Sequence, residues 1–208
     1  MKYVNELVER YSALESIKAD IEAAVEKIVE SYKKGGKVLL SGNGGSASDS
    51  DHVAGELLKG FLMKREPVGE ELDALRAELC EDALKLQRGI PAIPLPQLSG
   101  VLSAFANDVD PSLVYAQLVY ALGNKNDVLM AFSTSGNSVN IVKAAKCARA
   151  KGILVISLTG EKGGKLLGES DICLRVPECE TFKIQEYHLP IYHAICAEVE
   201  YELFGKNN

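Results

Sequence analysis

A chain of 208 residues with 47% apolar side chains is long enough for one domain with a full core. Its net charge of -6 argues against nucleic acid as the principal ligand. It leaves open a small anion held by local dipoles. The start Met1-Lys2-Tyr3-Val4-Asn5-Glu6 has no apolar signal core, and no apolar run reaches membrane-spanning length. A cytoplasmic enzyme or binding protein with no membrane partner is the default expectation. The five cysteines lack metal-finger spacing and read as reduced thiols.

The first 36 residues repeat apolar side chains at helical spacing: Val4, Leu7, Tyr11, Leu14, Ile17, Ile21, Val25, Ile28, Val29 and Tyr32. They stop at Lys33-Lys34-Gly35-Gly36, cations followed by glycines. So much helix ahead of the first strand exceeds what one small sheet needs. Part of its apolar face is therefore expected to meet another subunit.

A short strand, Lys37 to Ser41, then opens into the loop Gly42-Asn43-Gly44-Gly45-Ser46. With Ala47 this satisfies the dinucleotide pattern G-x-G-x-x-A. That fingerprint needs an acid at the end of the next strand, which here reads Pro94-Leu95-Pro96-Gln97. No lysine follows the glycines, so a Walker loop is excluded as well. The helix expected after the loop carries His52 and Glu56 at i and i+4, on one face near its start.

Residues 64–89 form an unusual segment. Glu70 to Cys80 has leucines at helical spacing among charges and predicts an inserted amphipathic helix. It serves as a lid, a subunit contact or a solvated helix packed on its own domain. The strand Ile90 to Leu95 carries Pro91 and Pro94, which confine it to a sheet edge. Asn107-Asp108 ends the helical stretch Gly100 to Ala106 and offers short polar groups to sugar hydroxyls.

Behind the strand Asp127 to Phe132 comes Ser133-Thr134-Ser135-Gly136-Asn137-Ser138, and then a helix from Val139 to Lys151. Backbone N–H groups and hydroxyls at a helix N-terminus suit a phosphate without added positive charge. Two such loops suggest a phosphorylated ligand. Further strands are expected at Leu154 to Leu158 and Ile172 to Val176. Strands alternating with helices predict a parallel sheet covered on both faces, with ligands at the carboxyl ends of central strands.

A long last helix holds Gln185, His188 and His193. Gln185 and His193 are about 80° apart around it, while His188 lies roughly 140° from His193. Two of the three histidines can thus converge with a carboxylate and an amide, a set suited to metal binding or proton transfer.

These residues together resemble the SIS (sugar isomerase) domain family and, within it, the phosphoheptose isomerases. The signature stretches are the glycine loop with His52 and Glu56, Asn107-Asp108, the serine loop, Leu158-Thr159-Gly160 with Gly163-Gly164, and Gln185 with His193. The resemblance covers nearly the whole chain apart from 64–89. It implies a single domain over 1–208 with a flavodoxin-like, three-layer, doubly wound sheet of five parallel strands. It also implies a homotetramer with active sites at subunit interfaces, its N-terminal helices serving oligomerisation.

Zinc (Zn2+) held by His52, Glu56, Gln185 and His193 is implied too. Substrate contacts would fall on Asn43, Gly44, Gly45, Ser46, Glu56, Asn107, Asp108, Ser133, Thr134, Ser135, Ser138 and Gln185. The implied reaction converts sedoheptulose 7-phosphate to glycero-manno-heptose 7-phosphate. Glu56 is the candidate base and His193 the candidate acid/base partner, and Glu56 is also a candidate metal ligand.

The chain departs from the family pattern at Gly55 and Gly60, where an acid and an arginine are usual, and at Phe182-Lys183, where the family has Asp-Arg. Pro190 falls inside the last helix and should free the carbonyl of Glu186 and bend the segment. Three rival functions are an isomerase of another ketose phosphate, a sugar-phosphate sensor, and a non-catalytic relative that binds the replication initiator. That last relative lacks the catalytic glutamate and the final histidine.

Overall fold

Runs rich in valine and leucine, with every residue buried, form the middle of the molecule as β1 (Val38–Ser41) and β3 (Val128–Phe132). Unbroken burial along a short strand is the mark of a parallel sheet covered on both faces. The structure is a computed structural model and describes residues 1–205; residues 206–208, the end of the expected domain span, lie outside the described residues. The remaining strands are β2 (Ala92–Pro94), β4 (Leu154–Thr159) and β5 (Ile172–Arg175). All pair in parallel, in the order β2-β1-β3-β4-β5. The proline-bearing β2 is at an edge, as its missing donors require.

The described residues include eight α-helices: α1 (Lys2–Arg10), α2 (Lys18–Lys33), α3 (Gly45–Leu58), α4 (Gly69–Leu79), α5 (Ser99–Asp108), α6 (Val114–Leu122), α7 (Val139–Ala150) and α8 (Thr181–Glu200). Strand periodicity divides the core in two. Val38, Leu40, Val128, Met130 and Phe132 face a cluster built from α1, α2, α3 and α8. Leu39, Leu129, Ala131 and Val155 face α6 and α7. The result is the expected three-layer, doubly wound α/β fold.

One local finding differs from the sequence reading. The N-terminal helix is interrupted: Tyr11 leaves helical geometry (φ -129°) and a 3-10 turn over Ser12–Ile17 joins α1 to α2. No glycine or proline marks that break, so apolar spacing carries straight across it. Most of the apolar face of this segment packs inside the chain, while Tyr11 and Tyr32 stay partly exposed. Val4, Leu7, Leu14, Ile17, Ile21, Val25 and Ile28 are all buried against the molecule's own core.

The inserted helix α4 forms as expected, but none of its residues is buried. It stands on the turn Cys80–Lys85, whose Ala83 is buried. The base of the excursion is tied by Arg88 N donating to Arg65 O, Gly60 N to Gln87 Oε1, and Ile90 N to Leu57 O. Helix α8 runs through Pro190 without interruption. Glu186 and Pro190 both line a surface cavity, so the carbonyl deprived of its partner is on a side open to water.

Candidate active site

The sheet order reverses between β1 and β3, since β2 lies on one side of β1 and the later strands extend from β3. A crevice at the carboxyl ends of adjacent parallel strands opens where such a reversal occurs. Both singled-out loops leave there. Gly44 takes φ +55° in the first loop and Gly136 takes φ +64° in the second. A side chain on Gly136 would come within 1.9 Å of Gly163 O, so the loop closes against the turn after β4 only as glycine.

In the serine loop, the N–H of Ser133 donates to Leu158 O and that of Gly136 to Ser133 O. Asn137 N donates to Ser135 Oγ, and Ser133 Oγ to Ser138 Oγ at 3.1 Å. Among the described residues, the N–H groups of Thr134, Ser135 and Ser138 have no protein acceptor. They stand at the N-terminus of α7, where the helix dipole favours an anion. The geometry suits an anion.

The glycine loop is braced rather than free. Tyr115 OH donates to Gly42 O at 2.7 Å, and the side chains of Asn43 and Asn140 bond each other in both directions at 2.9 Å. Asn43 thus ties the first loop to α7, with its amide engaged. Ser46 is buried at the start of α3, and the carboxamide of Gln185 lies over Gly45 so closely that a Cβ there would meet Nε2 at 2.6 Å.

About two turns further along α3, three expected residues meet. His52 Nε2 is 3.3 Å from Glu56 Oε1 and 3.4 Å from His193 Nε2. Lys59 Nζ sits 3.1 Å from the other oxygen of Glu56 and places a positive charge beside it. Burial, and then the charge of His52, push the His193 pKa down, with Glu56 opposing. A neutral imidazole is thereby favoured at pH 7.

His52 Nδ1 lies 3.1 Å from Tyr192 OH, which donates to Asp49 Oδ1 at 3.4 Å. Burial raises the pKa of Asp49 and of Tyr192. Phe61 and Pro190 join His193 around a cavity of about 390 Å³ that reaches Tyr3, Arg10 and Tyr11 of the N-terminal segment.

A profile of the SIS domain matches residues 2–160. The chain belongs to the SIS domain family. Its relatives there include the phosphoheptose isomerase of Burkholderia pseudomallei, 38% identical over 92% of this chain and 86% of the relative. Another is the phosphoheptose isomerase of Aneurinibacillus thermoaerophilus, 38% identical over 88% of this chain and 82% of that one. Among solved structures, phosphoheptose isomerase GmhA from Neisseria gonorrhoeae superposes with a TM-score of 0.76 at 31% identity, covering 94% of each chain. A phosphoheptose isomerase from Francisella tularensis gives 0.74 at 30%, covering 96% of this chain and 95% of that one.

The donor chemistry of this SIS domain suits zinc: two imidazole nitrogens and a carboxylate oxygen, with an amide on the same helix as His193. His52 lies 3.3 Å from Glu56 and 3.4 Å from His193, so the three donors stand in a triangle. The triangle is open on one side, because Glu56 and His193 make no direct polar contact among the described residues. Correspondingly, no three His, Cys, Asp or Glu side chains there form a cage as they stand. Gln185 is about 12 Å along α8 from His193 and contacts Gly45, so it is not gathered with the other three. Closing a four-ligand set requires side-chain rotation.

His188 points away from this group, fully buried near Thr159 O and the ring of Phe132. Asn107 donates to Asp108 Oδ1, and both remain exposed with no hydrogen bond to either loop among the described residues.

Sequence reasoning missed Tyr192, Asp49, Arg65 and Glu200. Arg65 and Glu200 form a fully buried ion pair at 2.7 Å. Arg65 also donates to the carbonyls of Leu57 and Glu56, and Glu200 accepts from Phe61 N and Leu62 N. The pair caps the end of α3 that carries Glu56. A lone buried arginine has no sequence signal. The glycine at position 60, where the family carries arginine, has a local reason: a Cβ there would lie 2.3 Å from Met63 O.

Proposed function

We propose that this SIS domain is a sugar-phosphate isomerase that converts sedoheptulose 7-phosphate to D-glycero-D-manno-heptose 7-phosphate through an enediol. The convergence of Glu56 and His52, on the helix leaving the glycine loop, with His193 on α8 carries this reading. Phosphoheptose isomerases among its relatives support the choice of sugar.

The cradle of Thr134, Ser135 and Ser138 takes the phosphate through N–H groups and hydroxyls, which fixes the far end of the sugar. Glu56 accepts the proton from C1 and returns it to C2. His193 gives a proton to O2 as the enediol forms, and then accepts one from O1 as the aldehyde appears. Atoms and charge balance, since one carbon-bound proton and one oxygen-bound proton each move once. Lys59 Nζ, 3.1 Å from Glu56, places a cation beside the candidate base.

His52, Glu56 and His193, with Gln185 after rotation, would hold a zinc ion. That ion supplies Lewis-acid stabilisation of the developing oxyanion. Assembly as a homotetramer, with sites at subunit interfaces, belongs to the same reading. The cavity against His193 gives a second copy a surface to occupy. Five free thiols suit a reducing cytoplasm.

The test is a coupled assay with sedoheptulose 7-phosphate after chelation and again after zinc return, beside a panel of other ketose phosphates. Activity lost on chelation and restored by zinc, highest on the heptose, is expected. Equal or higher activity on a different ketose phosphate moves the protein to the rival isomerase. Tight binding of sugar phosphates without turnover moves it to the sensor.

A further inference from the structure

The hydrogen-bond order behind His52 has a direction that chemistry decides. Tyr192 is 1% exposed, and its hydroxyl stands between His52 Nδ1 at 3.1 Å and Asp49 Oδ1 at 3.4 Å. A tyrosine hydroxyl has one proton to give. A carboxylate only accepts, and Asp49 Oδ2 is buried with no partner. If Tyr192 gave its proton to His52, both oxygens of Asp49 would lack a donor. An unsatisfied buried acceptor costs about 1–3 kcal/mol, more when charged. The hydroxyl therefore donates to Asp49, and the tyrosine oxygen accepts from His52 Nδ1–H.

We propose that Tyr192 is a positioning residue that carries the pull of the Asp49 carboxylate to His52, holding the imidazole as its Nδ1–H tautomer with the Nε2 lone pair turned into the pocket. The ring is clamped as well, with Tyr192 edge-on to His52 at 5.5 Å between centroids and to Phe132 at 6.2 Å.

The consequence lies on the other side of the ring. His52 Nε2, now an acceptor, faces the carboxylate of Glu56 at 3.3 Å. Two acceptors at that distance repel unless positive charge comes between them. His193 Nε2–H can answer the lone pair of His52, but nothing it offers lies between His52 and Glu56. The relay thus converts a histidine that would otherwise donate to Glu56 into one that, with Glu56, receives a cation. This rests on the metal-binding part of the proposed function. A partner that fixes the tautomer of a ligating histidine typically changes metal affinity by about 10–100-fold.

Tyr192→Phe keeps the ring and removes the hydroxyl. The first readout is the ¹⁵N spectrum of the histidine rings in metal-free protein, at alkaline pH where imidazoles are neutral. Wild type should report His52 protonated at Nδ1, and the variant should move toward the Nε2–H form that donates to Glu56. The second readout is Zn2+ affinity by competition with a chromophoric chelator, expected to fall about 10–100-fold with little change in the unfolding midpoint. An unchanged tautomer overturns the relay, whatever the zinc affinity. A shifted tautomer supports it even if neither protein binds zinc, in which case the metal reading alone falls.

Discussion

Arg65 and Glu200 meet at 2.7 Å with neither side chain exposed, and their pairing closes the carboxyl end of the helix that presents Glu56. The pair also fastens the start of the inserted 64–89 segment to α8. Removing one partner leaves an uncompensated buried charge, which typically costs about 3–5 kcal/mol. Arg65→Met should lower the unfolding free energy by that order in a denaturant titration. Replacing both residues by apolar ones should recover most of the loss. Activity of the double variant should stay depressed, because the carbonyls of Glu56 and Leu57 lose their clamp.

Glu56→Gln removes the candidate base while leaving the serine cradle untouched. Turnover should fall by at least about 100-fold, with binding of a phosphorylated sugar analogue retained in calorimetry. Near-wild-type turnover in this variant would remove Glu56 from the chemistry.

Gly136→Ala tests the cradle from the other end. The residue sits at φ +64° with a Cβ position 1.9 Å from Gly163 O. The chain must shift, at a cost above about 1 kcal/mol, and the N–H groups of Thr134 and Ser135 lose their aim. KM for the sugar phosphate should rise more than kcat falls. A change confined to kcat would place the phosphate elsewhere.

His188 gives the fold a pH dependence with a definite sign. Burial pushes its pKa down to about 4, with the carbonyl of Thr159 opposing. In the unfolded chain a histidine titrates near 6.5, so between those values the unfolded state binds the extra proton. Stability therefore rises with pH across that interval, is complete above about 6.5 and is lost as pH falls toward 4. The total is about 3 kcal/mol at 1.36 kcal/mol per unit. Unfolding free energies measured from pH 4 to 7 should show this slope, and His188→Leu should flatten it.

The positions of the strands were legible because short apolar runs bounded by glycine or proline have few alternatives. The edge place of β2 followed from Pro91 and Pro94 alone. His52 and Glu56 were legible as a pair because i, i+4 spacing on a helix is a local rule. Partnership with His193, 141 residues away, was a matter of resemblance until α3 and α8 packed side by side. The break at Tyr11 escaped notice because apolar spacing runs through it unchanged.

By itself, then, the sequence determined the parallel α/β class and the two loops at strand ends, and it singled out His52 and Glu56 as a pair. Each depends on local stereochemistry: glycine at positive φ, hydroxyls at a helix start, periodic burial. Only the tertiary structure decided that most of the N-terminal apolar face packs inside the chain. It alone seated Arg65 against Glu200, left Gln185 over Gly45, and set Tyr192 between Asp49 and His52. Those are contacts between residues far apart in the chain. Their geometry comes from how whole helices pack, which no short-range pattern encodes.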